Sequence, residues 1–219
     1  METFAKKQFI EEGFEVEELI PGVLLVKDFI TEDELNQLLN IINSTPEENW
    51  SIEYTANLKR FCLEKFGRDD VDNLVKEGKF EITMGWQDKN LALHNNEVTQ
   101  TINIRLEKIL YKAYPGTELA SMKTLQRMQS GVELKSHTDQ KTDPSIRYAQ
   151  ILYLNDDYEG GELYFENKDF KVKPKPRSLL VFPGTEEFEH GVYFVKDGPI
   201  RYVMVSFLKE KGFYEKNKY

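Results

Sequence analysis

The hydrophobic period of this chain changes near residue 121, and that change limits the fold more than any other feature. Upstream, apolar residues recur at helical spacing. One stripe holds Leu35, Leu38, Leu39 and Ile42. A second holds Leu58, Phe61, Cys62 and Phe66, and a third holds Val98, Ile102, Leu106, Ile109, Leu110 and Ala113. All three read as core packing. Thr31-Glu32-Asp33-Glu34 opens the first as a capping box, in which Thr31 accepts from a free backbone N–H and Glu34 reaches back. Asn43 to Pro46 closes it, Gly67 stops the second, and Pro115-Gly116 breaks the third. Ahead of them, Gly22 to Phe29 is an apolar run of strand length.

Downstream the pattern becomes extended. Candidate strands are Thr124 to Met128, Glu133 to His137, Tyr148 to Leu154, Leu163 to Phe165, Leu179 to Phe182 and Arg201 to Leu208. Asn155-Asp156-Asp157 and Gly160-Gly161 punctuate them with turn chemistry. Many short strands between turns indicate a sandwich or jelly roll with helices packed outside. The expected fold class is therefore mainly β with flanking helices. No linker composition separates the halves, so 1–219 reads as one domain, with 1–120 a helix-rich support and 121–210 the jelly-roll core. The charged tail from Lys209 to Tyr219 reads as mobile beyond Gly212, with docking through Phe213 and Tyr214 as the alternative.

A length of 219 residues suffices for one full core, and 40% hydrophobic with 31% charged residues is ordinary for a globular chain. No run approaches the roughly 18 apolar residues that span a bilayer. Met1 to Glu18 lacks an apolar signal core. Cys62 is the only cysteine, which excludes an intrachain disulfide and thiolate clusters. A reducing, cytoplasmic setting is the expectation. A formal charge of −9 argues against general nucleic-acid binding, which depends on neutralising phosphates. The local exception is Lys168, Lys171, Lys173, Lys175 and Arg177, interleaved with Pro174 and Pro176. It reads as a solvated loop between strands, with steering of an acidic substrate as the alternative.

Against that background His137-Thr138-Asp139, followed by His190 and Arg201, stands out, because two of the three histidines fall in it. Two imidazoles and one carboxylate hold non-haem Fe(II) on one face and leave positions open on the other. In an extended chain residues i and i+2 point to one side, so His137 and Asp139 can grip one ion. Solvated loops supply isolated H-x-D triplets freely, so the inference rests on order, spacing and flanking strands together. Arg201 would suit a dicarboxylate, since a guanidinium stays charged and binds a carboxylate through two parallel hydrogen bonds.

The second half resembles the 2-oxoglutarate- and Fe(II)-dependent dioxygenases, especially their prolyl 4-hydroxylase-like branch. The matching pieces run from His137-Thr138-Asp139 through Ile151-Leu-Tyr-Leu-Asn155, Gly160-Gly161-Glu162-Leu163 and Val172-Lys-Pro174. They continue with Leu179-Leu-Val-Phe-Pro183, Glu189-His190-Gly191-Val192 and Gly198-Pro-Ile-Arg201, in the family's order over about residues 121–210. The resemblance implies a double-stranded β-helix (a jelly roll) with the metal at its mouth. It implies His137, Asp139 and His190 as Fe(II) ligands and Arg201 as partner of the 2-oxoglutarate distal carboxylate. Tyr153 matches a family position whose phenol can reach the same carboxylate, and it shares a strand face with Ala149 and Ile151. Fe(II), 2-oxoglutarate and O2 are the implied cofactor and cosubstrates, with ascorbate as an added reductant. Three positions depart from the pattern: Leu134 stands where relatives have tyrosine, Met128 where an aromatic is frequent, and Arg177-Ser178 in place of glycine-serine.

Such an enzyme would hydroxylate a C–H bond and release succinate and carbon dioxide, with a protein or peptide as the expected substrate. Candidate recognition loops are Met84 to Asn96, with Trp86 and His94, and Gln140 to Arg147, with Lys141, Asp143 and Arg147. A nucleic-acid demethylase of the same superfamily would use identical ligands, and the acidic balance disfavours it. A non-catalytic jelly-roll binding protein would require His137, Asp139, His190 and Arg201 to coincide by accident. Oligomeric state is left open by the sequence.

Overall fold

The computed structural model describes residues 4–54, 62–79, 87–93, 96–120 and 122–216. In the first half α1 (Phe4–Glu11), β1 (Val16–Ile20), β2 (Val23–Val26), α2 (Glu32–Ser44), β3 (Ser51–Tyr54), α3 (Val71–Lys76), β4 (Gln87–Ala92), α4 (Glu97–Ala113) and β5 (Thr117–Ala120) follow in order. The second half supplies β6 (Thr124–Met128), β7 (Leu134–His137), α5 (Asp139–Thr142), β8 (Ile146–Tyr153), β9 (Leu163–Phe165), β10 (Phe170–Val172), β11 (Leu179–Pro183), β12 (His190–Val192), β13 (Arg201–Glu210) and α6 (Phe213–Lys216).

Local chemistry sets the boundaries. Thr31 caps α2 through its hydroxyl, and Glu34 returns a carboxylate to the Thr31 N–H at 2.8 Å. Asn96 caps α4 by accepting from the Val98 and Thr99 amides. The Leu35, Leu38 and Ile42 stripe is buried, as is the stripe from Val98 to Ala113. Leu58 and Phe61 lie outside the described residues, while 62–66 is helical and Gly67 follows at φ +74°.

The larger antiparallel sheet runs β1-β2-β11-β8-β13-β6-β4-β3, with β5 beside the far end of β13. The smaller sheet runs β10-β9-β12-β7. The helix-rich support expected over 1–120 thus also contributes five strands to the larger sheet. One of them, β4, occupies much of the expected recognition loop Met84 to Asn96 and pairs with β3 and β6. That segment is a correction: 87–92 is sheet, and Trp86 and His94 lie outside the described residues.

Period-two alternation divides the core. Leu152, Leu179, Val181 and Met204 face the helices and meet Phe9, Leu38, Ile102 and Leu106. Ile151, Tyr153, Leu180, Phe182 and Val203 face the smaller sheet and meet Leu163, Phe165 and Val192. Each such side chain contributes about 1.5–3 kcal/mol on burial. The two-sheet sandwich is the jelly roll expected from the strand pattern.

The basic stretch is paired rather than open. Lys168 bridges Glu187, Lys175 reaches Asp156 at 2.8 Å, and Lys173 donates to the Tyr158 carbonyl. Arg177 contacts Asp28 at 2.5 Å and Glu32 at 3.3 Å. Its φ is +69°, a left-handed conformation that favours glycine. The Gln140 to Arg147 segment is likewise tied down: Asp143 bridges Lys209 at 2.8 Å and Arg147 pairs with Glu210. The tail docks, since the Tyr214 hydroxyl donates to Asp143 at 2.6 Å. Among the described residues no helix is long and apolar enough to cross a membrane.

Candidate active site

Neighbouring strands of the smaller sheet carry the two histidines. His137 closes β7 and is the register partner of His190 at the start of β12, with ring centroids 4.6 Å apart. The His137 Nδ1 lies 2.9 Å from the Lys135 carbonyl oxygen, and the His190 Nδ1 lies 3.0 Å from that of Phe188. A carbonyl only accepts, so each Nδ1 carries the proton and each Nε2 presents a lone pair. Metal-binding imidazoles are usually oriented this way.

Asp139 comes to the same point by a slightly different route from the extended one expected. Thr138 is extended at φ −118°, ψ 136°, but Asp139 begins the short helix α5. Its Oδ1 lies 3.9 Å from His137 Nε2, and its Oδ2 lies 4.0 Å from His190 Nε2. The three ligand atoms all fall within 4.8 Å of one another. Glycine at 184 makes room for them: a Cβ there would stand 2.9 Å from Ile146 Cγ2 and 3.2 Å from Asp139 Cβ.

The electrostatics ask for a cation. Asp139 is buried, and its Oδ2 accepts no hydrogen bond. Burial pushes its carboxyl up to about 6, against the pull of His137. Burial also pushes His190 down to about 4, opposed by the Phe188 carbonyl. His137 is lowered too, by burial first and by His190 second. Neutral imidazoles beside a buried carboxylate lack positive charge at neutral pH. A divalent ion fits this donor set of two nitrogens and one carboxylate, and Fe(II) is the ion that such a set commonly holds.

Arg201 begins β13 and is only 1% exposed. Its Nη1 donates to Met128 Sδ at 3.4 Å, its Nε has no acceptor, and its guanidinium carbon lies 5.3 Å from the Tyr153 ring centroid. Among the described residues no carboxylate pairs with it. The phenols of Tyr153 and Tyr158 are buried and also unpartnered. Burial raises both above the usual phenol range, Tyr158 to about 12, while Arg201 pulls the other way. Tyr153 and Tyr158 belong to the layer between the sheets, and the His190 ring packs edge-on against Phe182 of that layer at 4.7 Å.

The five positions expected from sequence therefore form two clusters, the triad and the Arg201–Tyr153 pair. Tyr158 was not expected. It sits in the turn between Asn155 and Gly160, where an aromatic beside turn residues carries no periodic signal.

Comparison with known proteins agrees with this geometry. Residues 123–209 match the family model of the 2OG-Fe(II) oxygenase superfamily. Human (Homo sapiens) prolyl 3-hydroxylase 2 is 41% identical over 56 residues, which cover 23% of this chain and 8% of that protein. The chain thus spans under a tenth of the length of the curated relatives it matches. Among solved structures, the viral collagen prolyl hydroxylase of Paramecium Bursaria Chlorella virus-1 superposes with a TM-score of 0.57 at 16% identity, covering 85% of this chain and 94% of that one. A Trichoplax adhaerens prolyl hydroxylase, solved with a peptide fragment of the hypoxia inducible factor oxygen degradation domain, gives 0.52 at 15%, covering 88% and 95%. These likenesses establish the shared fold.

Proposed function

We propose that this chain, whose residues 123–209 match the family model of the 2OG-Fe(II) oxygenase superfamily, is a Fe(II)- and 2-oxoglutarate-dependent dioxygenase acting on peptides as a prolyl-type hydroxylase. His137, Asp139 and His190 would hold the iron, and the whole chain would work as a single domain. The bound metal supplies oxygen activation coupled to decarboxylation of 2-oxoglutarate, with succinate, carbon dioxide and one hydroxylated carbon as products.

The chain's own groups do the rest. The Nδ1 hydrogen bonds fix both imidazole rings with Nε2 inward, so no proton has to leave them at neutral pH. Asp139 would contribute one negative charge from a buried position beside both imidazoles. Arg201 and Tyr153 would hold the distal carboxylate, which fixes how far the other end reaches toward the triad. Phe165, Phe182 and Leu180 wall off this layer from water. The His137 side chain is 18% exposed against 5% for His190, so substrate would approach from the His137 side. A peptide is the favoured substrate, because the prolyl 3-hydroxylase 2 match and the Trichoplax adhaerens peptide complex both point to one.

The observation that carries this reading is Arg201, a buried guanidinium facing two unpartnered phenols with no carboxylate beside it among the described residues. Anaerobic titration of Fe(II)-loaded protein with 2-oxoglutarate should give a visible charge-transfer band that is absent in His137→Ala. Oxygen-dependent succinate release should then rise with proline-containing peptides. No band in the wild-type protein would refute the oxygenase reading. A band with stimulation by methylated nucleic acid alone would refute the peptide substrate.

A further inference from the structure

Beside Arg201 the fold builds more than the sequence pattern requires. Gly160 and Gly161 turn the chain at φ +68° and +64°, and the turn folds Tyr158 back over the start of β13. Gly161 has no room for a side chain, since a Cβ would stand 2.9 Å from Tyr158 Cε2 and 3.2 Å from Arg201 Cδ. The Tyr158 ring and the Arg201 stem therefore flank one glycine and touch the same small volume. Lys173 pins the residue from the other side, donating to the Tyr158 carbonyl with its ammonium 4.3 Å from the ring centroid. A phenol so fixed, 1% exposed and without a hydrogen-bond partner, is costly to keep unless something accepts from it. Leucine or phenylalanine would fill the space without that cost.

We infer that Tyr158 is a second phenolic donor to the distal carboxylate of the dicarboxylate cosubstrate, completing with Arg201 and Tyr153 a three-point cradle. This rests on the oxygenase reading above and adds a specificity-determining residue to it. Two oxygens of a carboxylate offer about four acceptor sites, enough for a guanidinium and two phenols together. Both hydroxyls would then donate to a charged acceptor, the strongest class of ordinary hydrogen bond. Discrimination follows, because a ligand lacking the distal carboxylate leaves a buried cation and two phenols unmatched. Lys173 is the positioning residue that holds Tyr158 in the turn.

Equilibrium binding to Mn(II)-loaded, non-turning-over protein separates this from a structural role. Tyr158→Phe keeps the ring and removes only the hydroxyl. It should weaken 2-oxoglutarate binding by about tenfold, the scale of one hydrogen bond to a charged group. Binding of 2-oxobutyrate, which has the same metal-chelating end and no distal carboxylate, should be unchanged, and the ligand-free variant should melt no lower than wild type, because it loses only an unmatched buried hydroxyl. Equal 2-oxoglutarate affinity in wild type and Tyr158→Phe, or an equal loss for both ligands, would overturn the inference while leaving the oxygenase reading intact. If the wild-type protein bound neither keto acid, that reading would fail first and this inference with it.

Discussion

At the scale of single residues the most telling group is one that the fold leaves uncompensated. A buried guanidinium without a carboxylate destabilises a protein, so Arg201 costs stability in the ligand-free chain. Replacing it with an apolar chain of similar length should therefore separate stability from function. Arg201→Met is expected to raise the ligand-free stability by about 1–3 kcal/mol. On thermal denaturation that amounts to a rise of a few degrees. The same variant should lose the melting shift that 2-oxoglutarate induces in the metal-loaded wild type. A destabilised variant would mean that Arg201 has a structural partner. The residues of this site differ in how far the sequence revealed them. His137, Asp139, His190 and Arg201 are legible because metal and carboxylate binding demand fixed side-chain types in a fixed order. Tyr153 is legible through its strand face, which it shares with Ala149 and Ile151 between the sheets. Tyr158 is not, since its approach to Arg201 depends on two consecutive left-handed glycines rather than on any pattern.

Among the elements, the connection into β11 shows how a departure from the family pattern is absorbed. Arg177 takes a left-handed conformation that favours glycine, and its carbonyl accepts from the Phe29 and Ile30 amides at 2.8 and 3.4 Å. Its guanidinium meanwhile ties Asp28 and Glu32, so the junction between β2 and α2 is stapled to the turn before β11. Backbone strain and ion pairing oppose each other at this one position. Arg177→Ala removes the ion pairs and keeps the strain, whereas Arg177→Gly removes both. Urea denaturation should place the glycine variant about 1 kcal/mol above the alanine variant, because alanine in that conformation is strained and glycine is not. The reverse order would show that the turn relaxes on truncation. Elements with long periodic signals, α2, α4 and β8, were readable almost to their ends. Among the short strands β6 and β9 were readable between their turns, but β12 and β4 were not: β12 has three residues, too few for an alternation to appear, and β4 is a strand because β6 and β3 lie on either side of it.

For the whole molecule the consequence lies in how unequally the two sheets are held. In the larger sheet β8 and β13 each pair on both sides, and the layer behind them is closed by helices. In the smaller sheet β7 is an edge strand that pairs, among the described residues, with β12 alone, and their register shifts between His190 and Val192. Local opening should therefore cost least at β7 and β12, the strands that carry the imidazoles. A metal ion bound by His137, Asp139 and His190 would cross-link β7, α5 and β12, adding back what the short ladder lacks, since binding to the folded state alone stabilises it. Stripping the ion with a chelator should accelerate amide hydrogen exchange at 134–137 and 190–192, and leave protection in 148–153 and 203–208 unchanged. Uniform acceleration across both sheets would mean that the metal governs global rather than local stability. No change anywhere would mean that the triad is preorganised without it. The first outcome fits the geometry, because the larger sheet keeps its pairing and packing whether or not the triad is filled, so the fold can hold Arg201 and Tyr153 in place while the metal-binding edge remains the part that responds to loading.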